Sequence, residues 1–320
     1  MAFSDIKGQT QAIAILREAL KQSRIPGGYL FSGPEGIGKA RVAKIFAQAL
    51  LCKQASADAC GVCPSCTRIA NNQHPDVHYI TNEEAEALKI EAMRSLQRAI
   101  HFRPYEAEKK VFIIDNAHCL TQEAENSILK ILEEPPADSV IILISAQPQR
   151  IAKTIISRCQ GIKFCALPRL ALEKVLKHDF ALSDTVAHFL AYFCEGRIGA
   201  ALRYNDSDFM EYKNHVLDEM VFAKHSASNA LLFKEKADIR QCLLVLISWF
   251  RDLYLLRAGI THAELIHRDR RDELLARMQQ YSSFELDEIL QTISDTAMYL
   301  EQNINSKLLL LQLKGALWNK

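Results

Sequence analysis

Residues 33–40 read G-P-E-G-I-G-K-A, and no other stretch of the chain constrains its fold as much. They fit the frame G-x-x-x-x-G-K-[ST], in which glycines let backbone N–H groups converge on phosphate oxygens and the lysine adds a point charge. Gly33, Gly36, Gly38 and Lys39 are in place. The last position departs, because Ala40 presents a methyl group where the frame has the hydroxyl that ligates Mg²⁺. An ordinary Gly-rich turn is the alternative reading. Taken as a phosphate loop, the segment predicts an ATPase architecture that hydrolyses poorly or not at all.

The surroundings match that architecture. G-Y-L-F-S at 28–32, K-V-F-I-I-D at 110–115 and V-I-I-L-I-S at 140–145 are continuous apolar runs of the kind buried on both faces of a parallel sheet. Between the last two, Thr121 is placed to cap a helix whose apolar stripe is Ala124, Ile128, Ile131 and Leu132, and Pro135-Pro136 ends it. Beyond Pro168 the pattern is helical, at about 169–178, 183–194 and 197–204, then in longer stretches. The polar turn Asn205-Asp206-Ser207-Asp208 marks a further boundary.

A second motif lies downstream of the loop. Cys52, Cys60, Cys63 and Cys66 are spaced C-x₇-C-x₂-C-x₂-C, which lets a tight turn direct thiolates at one centre and close a tetrahedral structural zinc site. A disulfide or free thiols are the alternatives. Cys119, Cys159, Cys165, Cys194 and Cys242 are scattered and read as small buried hydrophobes.

Asp115 ends the apolar strand V-F-I-I-D, where such folds place a metal-orienting carboxylate, although a capping role would also suit it. Hydrolysing proteins of this class carry an acid next. Here it is Asn116, whose amide cannot accept a proton from water.

Charge and length set the outer limits. Lys+Arg 39 against Asp+Glu 38 excludes a global basic field for gripping nucleic acid, and the N-terminus lacks the basic and apolar pattern of a secretion signal, so a cytoplasmic chain is expected. No apolar run approaches the ~20 residues of a membrane-spanning helix.

Together, I-P-G-G-Y-L-F-S-G-P-E-G-I-G-K-A, the cysteine insertion, F-I-I-D-N-A-H, A-E-N-S-I-L-K-I-L-E-E-P-P and T-I-I-S-R-C-Q resemble the AAA+ subunits of bacterial DNA polymerase III clamp loaders over the whole chain. The resemblance implies an α/β, RecA-like P-loop domain with a zinc module at 1–166, a small helical lid at 167–207 and an all-α collar at 208–320. It implies a place in a five-membered partial ring whose ATP molecules sit between neighbours. Motor subunits of the family, gamma and tau, usually carry Thr at Ala40, Glu at Asn116 and a nucleotide-sensing arginine at Gly199; the chain also ends at Lys320 without the long tail of tau. A proline common before the T-I-x-S-R-C motif is Lys153 here.

By motif, Arg158 in S-R-C is the arginine presented in trans to a neighbour's ATP, with a surface or capping role as the alternative. The expected cofactor is zinc; ATP can still bind weakly through the loop N–H groups and Lys39 but is not expected to be hydrolysed. The implied partners are the gamma and tau motor subunits, the clamp-opening delta subunit and, through the assembled complex, the sliding clamp and primer-template DNA. Lys130 and Arg103 are candidates to face that DNA, though solvated surface suits them better. The stripe Ile304, Leu308, Leu311 and Leu317 reads as core or as collar interface, with core favoured by ordinary amphipathicity. An active motor subunit and a stand-alone zinc-stabilised nucleic-acid binder are the rival functions.

Overall fold

The computed structural model describes residues 2–54, 57–81, 90–222, 236–260, 265–302 and 304–318. The chain divides into two units, residues 1–167 with 197–200, and residues 168–196 with 201–320.

The first unit is built on five parallel strands: β1 (Gly28–Ser32), β2 (Val77–Ile80), β3 (Lys110–Ile114), β4 (Ser139–Ser145) and β5 (Gln160–Lys163), in the order β2-β3-β4-β1-β5. The apolar runs β1, β3 and β4 are the inner strands, buried almost throughout. Strands β2 and β5, V-H-Y-I and Q-G-I-K, form the edges and are only partly covered, so they lack the apolar signature.

Among the described residues this unit also holds the α-helices α1 (Thr10–Lys21), α2 (Lys39–Leu51), α3 (Pro64–Ala70), α4 (Ile90–Ile100), α5 (Gln122–Glu133) and α6 (Lys153–Ile156). Alternation along each strand sends Tyr29, Phe31, Ile113 and Ile142 into one core with Val42 and Phe46 of α2. It sends Leu30, Ile114 and Leu143 into another with Ile128, Ile131 and Leu132 of α5. Helix α5 starts as its sequence demands, with Thr121 Oγ1 accepting the Ala124 N–H at 3.3 Å, and it buries the expected stripe. Burying each Ile or Leu contributes about 1.5–3 kcal/mol.

The second unit is helical among its described residues: α7 (Arg169–Asp179), α8 (Asp184–Phe193), α9 (Ile198–Asn205, whose first residues belong to the first unit), α10 (Phe209–Leu217), α11 (Lys236–Arg257), α12 (Arg271–Met278), α13 (Ser283–Glu301) and α14 (Ser306–Trp318). Its core gathers Leu246, Trp249 and Leu253 of α11, Leu286 and Ile293 of α13, and Leu309, Leu313 and Leu317 of α14. The expected core stripe on the last helix is therefore shifted. Ile304, Leu308 and Leu311 are exposed and only Leu317 is buried, because the inward face runs 309, 313, 317.

A polar group sits inside this core. The buried Asp252 carboxylate accepts the His267 N–H at 2.8 Å, Ser248 Oγ lies 2.8 Å from His267 Nε2, and Lys213 pairs with Asp269. Burial pushes the Asp252 carboxyl from 3.8 up to about 6.

Two of the scattered cysteines, Cys194 and Cys242, are buried; Cys119 and Cys159 are half-buried. Cys165 is exposed, which corrects its reading as a buried hydrophobe: it lies just beyond β5, where the chain leaves the sheet. Among the described residues no helix is long and apolar enough to cross a membrane.

Candidate functional site

The carboxyl ends of β1, β3 and β4 bring the phosphate-loop residues, Asp115 and Ser145 to one edge of the sheet, where open parallel sheets hold ligands. The loop leaves β1 at Gly33, whose N–H donates to the Ser145 carbonyl at 3.2 Å. Gly33 has φ +147°, and a Cβ there would stand 2.3 Å from the Phe164 carbonyl oxygen, so the close backbone approach admits only glycine. Gly36 and Gly38 also have positive φ, and α2 begins at Lys39.

Lys39 does not project into an open cradle. Its side chain is turned back onto the loop, with Nζ donating to the Gly33 carbonyl at 2.6 Å and the Pro34 carbonyl at 2.7 Å, and the residue is 7% exposed. Burial pulls its ammonium below the ordinary lysine value, against the opposing charges of Asp115 and Glu35. The loop is also held from outside. The Gly36 carbonyl accepts the Gly199 N–H at 2.7 Å, and a Cβ at Gly199 would come within 2.8 Å of that oxygen. Gln9 bridges the loop to the segment after β5, its Nε2 donating to the Ile37 carbonyl at 3.4 Å and the Cys165 carbonyl at 2.7 Å and its Oε1 accepting the Cys165 N–H at 3.2 Å.

Asp115 stands just past β3, and both its oxygens are engaged: Oδ1 accepts the Asn116 N–H at 2.9 Å and Oδ2 the Tyr79 hydroxyl at 2.8 Å. Asn116 takes a left-handed conformation, φ +53°, and leads into a short turn that carries His118. His118 Nδ1 lies 3.3 Å from Ser145 Oγ. Burial, then the charges of Arg150 and Lys39, hold His118 below its ordinary value. Tyr79, His118, Ser145 and Gln9 were not picked out from the sequence. Tyr79 escapes because β2 has no apolar pattern, and the other three because isolated polar residues carry no spacing signal.

Arg158 follows α6, away from the loop. Its Nη1 donates to the Thr154 carbonyl and its Nη2 to Glu133 Oε1, both at 3.0 Å. The Arg158 side chain is 36% exposed and that of Glu133 53%, so the guanidinium is held at the surface. Lys130 and Arg103 are also exposed.

The sulfur atoms of Cys52, Cys60, Cys63 and Cys66 all lie within 4.8 Å of one another. Cys60 and Cys66 are 3.9 Å apart, close to the ~3.8 Å that Zn–S bonds of about 2.3 Å give at tetrahedral angles. The turn is built for thiolates. Cys63 N–H points at Cys60 Sγ (3.3 Å) and Cys66 N–H at Cys63 Sγ (3.4 Å), while Cys63 also caps α3 ahead of Pro64. N–H donors from Val62 and Cys63 bring the Cys60 thiol down to about 6, and burial raises that of Cys66 to about 12. All four sulfurs are committed to one centre, so a metal held there has no open position and is structural.

The cysteine module is anchored to α2, α1 and the N-terminal segment. Gln48 Nε2, on α2, donates to the Cys66 carbonyl at 2.7 Å. Asp58 accepts the Phe3 N–H at 2.9 Å and pairs with Arg17 at 2.7 Å. Beside the module, the buried Asp76 carboxylate accepts the N–H groups of Tyr105, Glu106 and Ala107 at 2.6–2.9 Å. Burial opposes its charge, but these donors outweigh it and hold the carboxyl below the usual range.

Comparison with known proteins agrees with the motifs. Residues 8–168 match a family model described as "DNA polymerase III, delta subunit", and residues 207–313 match its C-terminal counterpart. The chain is 28% identical over 307 residues to DNA polymerase III subunit delta' of Bacillus subtilis, covering 93% of this chain and 92% of that protein. It is 40% identical over 163 residues to subunit tau of the same organism, covering 51% of this chain but only 29% of that longer protein. A DNA polymerase III gamma subunit-related protein from Thermotoga maritima shares the fold, with a TM-score of 0.54 at 16% identity over 96% of this chain and 99% of the other. The chain belongs to the DNA polymerase III delta-subunit family, as a clamp-loader subunit of the delta-prime type.

Proposed function

We propose that this chain is a non-hydrolysing member of the clamp-loader ring, which presents Arg158 in trans to the ATP of a neighbouring motor subunit and so helps place the sliding clamp on primed DNA. The observation that carries the reading is the pair Ala40 and Asn116, which stand where a metal-ligating hydroxyl and a proton-accepting acid would be needed. Any nucleotide that the loop still binds turns over, on this reading, near background.

On this reading Gly33, Gly36, Gly38, Lys39 and Asp115 keep a loop architecture, and the chemistry is contributed to another subunit. Arg158 stands at the surface with a planar cation, the geometry suited to charge developing on a transferred phosphoryl group. Zinc at Cys52, Cys60, Cys63 and Cys66 braces the domain. The division into a P-loop domain (1–166), lid (167–207) and collar (208–320) belongs to the same proposal, as do gamma, tau and the delta subunit as partners.

The test assembles the complex from wild-type motor subunits and this chain, then measures clamp- and DNA-stimulated ATPase and clamp loading. Arg158→Ala should leave assembly and zinc content intact yet slow the site it completes by ~10³-fold or more, and Arg158→Lys should rescue poorly. Unchanged ATPase and loading at full assembly rejects the role.

A further inference from the structure

The surroundings of Arg158 assign a task to a second residue. We propose that Glu133 is a positioning residue for Arg158, fixing the guanidinium in the orientation from which it meets a neighbour's phosphate; this rests on the trans role proposed above.

The two contacts of Arg158 differ in kind. The Thr154 carbonyl is one helical turn back along the same segment and moves with it, so it cannot fix where the arginine points relative to the domain. Glu133 is 25 residues away in sequence, at the end of α5, a helix locked into the core by Ile128, Ile131 and Leu132. Its carboxylate ties the flexible arginine to rigid scaffold. The bond is single, Nη2 to Oε1, so the remaining N–H groups of the guanidinium stay available to phosphate oxygens while the tether holds.

The backbone supports this geometry. A Cβ at Gly28 would come within 2.7 Å of Leu132 Cδ2 and 3.2 Å of Cys159 Sγ, so β1, the end of α5 and the Arg158 turn pack together without slack. A long cation free in solvent samples many rotamers, and holding it in advance lowers the entropy lost when it engages the phosphate. The pair is exposed, which sets the scale of the effect. An ion pair of this class changes the oriented population by about two- to fivefold, with salt weakening it.

The experiment uses the assembled complex with ATP and primed DNA, and follows the part of the stimulated turnover that Arg158→Ala abolishes. Glu133→Ala should lower kcat for that part by about two- to fivefold with KM for ATP unchanged. Glu133→Gln, which keeps an acceptor oxygen, should recover part of the loss. In the Arg158→Ala background Glu133→Ala should leave the residual turnover and the extent of assembly unchanged, and the single-mutant effect should shrink between about 0.05 and 0.5 M salt. A fall of about two- to fivefold in that residual turnover would mean that Glu133 acts through the fold and overturns the assignment. So would wild-type turnover with Glu133→Ala, or faster turnover, which would make the carboxylate a restraint on the arginine. If Arg158→Ala itself has no effect, the trans role fails first and this inference falls with it.

Discussion

Replacing Lys39 by methionine separates a lysine that serves a nucleotide from one that serves the fold. In a working phosphate loop the ammonium waits for phosphate, and its loss removes ligand binding while sparing the apo protein. Here Nζ is 2.6 and 2.7 Å from the Gly33 and Pro34 carbonyls in a residue 7% exposed. Hydrogen bonds to a charged group contribute about 1.5–3 kcal/mol each. Against them stands the cost of burying the ammonium, the same cost that lowers its proton affinity. The thioether keeps the length of the side chain, so packing changes little, and the net loss should be about 1–3 kcal/mol.

For a unit of this size that amounts to a fall of roughly 3–10 °C in its melting temperature. Because the chain has two units, the transition should be assigned by hydrogen exchange on peptides spanning 28–46, which should lose protection in the variant. Millimolar Mg-ATP should give the wild-type chain little or no thermal shift. The reasoning is refuted if Lys39→Met melts with the wild type, or if wild-type protein gains a clear ATP-dependent shift that the variant lacks. Either result would make Lys39 a nucleotide ligand.

The purified chain should hold one zinc, and Cys63→Ser should lower zinc content and loosen the segment around 52–70 without removing Arg158-dependent turnover; metal analysis finding no zinc, with all nine thiols reactive, excludes the site. Ala40→Thr should not restore hydrolysis, since a missing base alone costs ~10²–10⁴ in rate, and robust turnover by that single variant in a sensitive phosphate-release assay would show that Asn116 has been misjudged. Asp252 has a folded carboxyl raised to about 6 from 3.8, so the folded state binds the extra proton in that window and loses stability as pH rises through it. Denaturant titrations should therefore show Asp252→Asn gaining on the wild type by up to ~2–3 kcal/mol between about pH 4 and 7, and a gap that does not change with pH counts against it.

What the sequence exposed and what it hid follow a physical line. Strands β1, β3 and β4 were legible because strands buried on both faces must be apolar throughout, and α5 because its cap, stripe and diproline stop all agree. The cysteine site was legible because ligand spacing is itself the geometry. The edge strands were not, since half-covered strands tolerate His, Gln and Lys, and with β2 went Tyr79, the residue that engages Asp115. The inward face of α14 was misplaced because that helix is rich in leucine all round, and only its packing selects 309, 313 and 317. The contacts of Lys39 with the Gly33 and Pro34 carbonyls have no sequence signal at all, because Ala40 and Asn116 bear on metal binding and proton transfer and not on where the lysine lies.

On the proposed function, two cations of the same domain would let one architecture lose a reaction and keep a role in it. A lysine placed beneath a phosphate loop is a buried charge that needs acceptors, and without a triphosphate those must come from protein. The Gly33 and Pro34 carbonyls supply them, and Gly199, where a larger residue would strike the Gly36 carbonyl, lets a backbone N–H hold the loop from the far side. Thus the Lys39 charge is met by acceptors of its own loop. Under the proposed trans role Arg158 has the opposite requirement. A cation that works across an interface must stay accessible, and its partner Glu133 is itself half-exposed and binds through a single oxygen. On the proposed reading, burial fixes Lys39 as structure, and exposure keeps Arg158 available for chemistry on the neighbour.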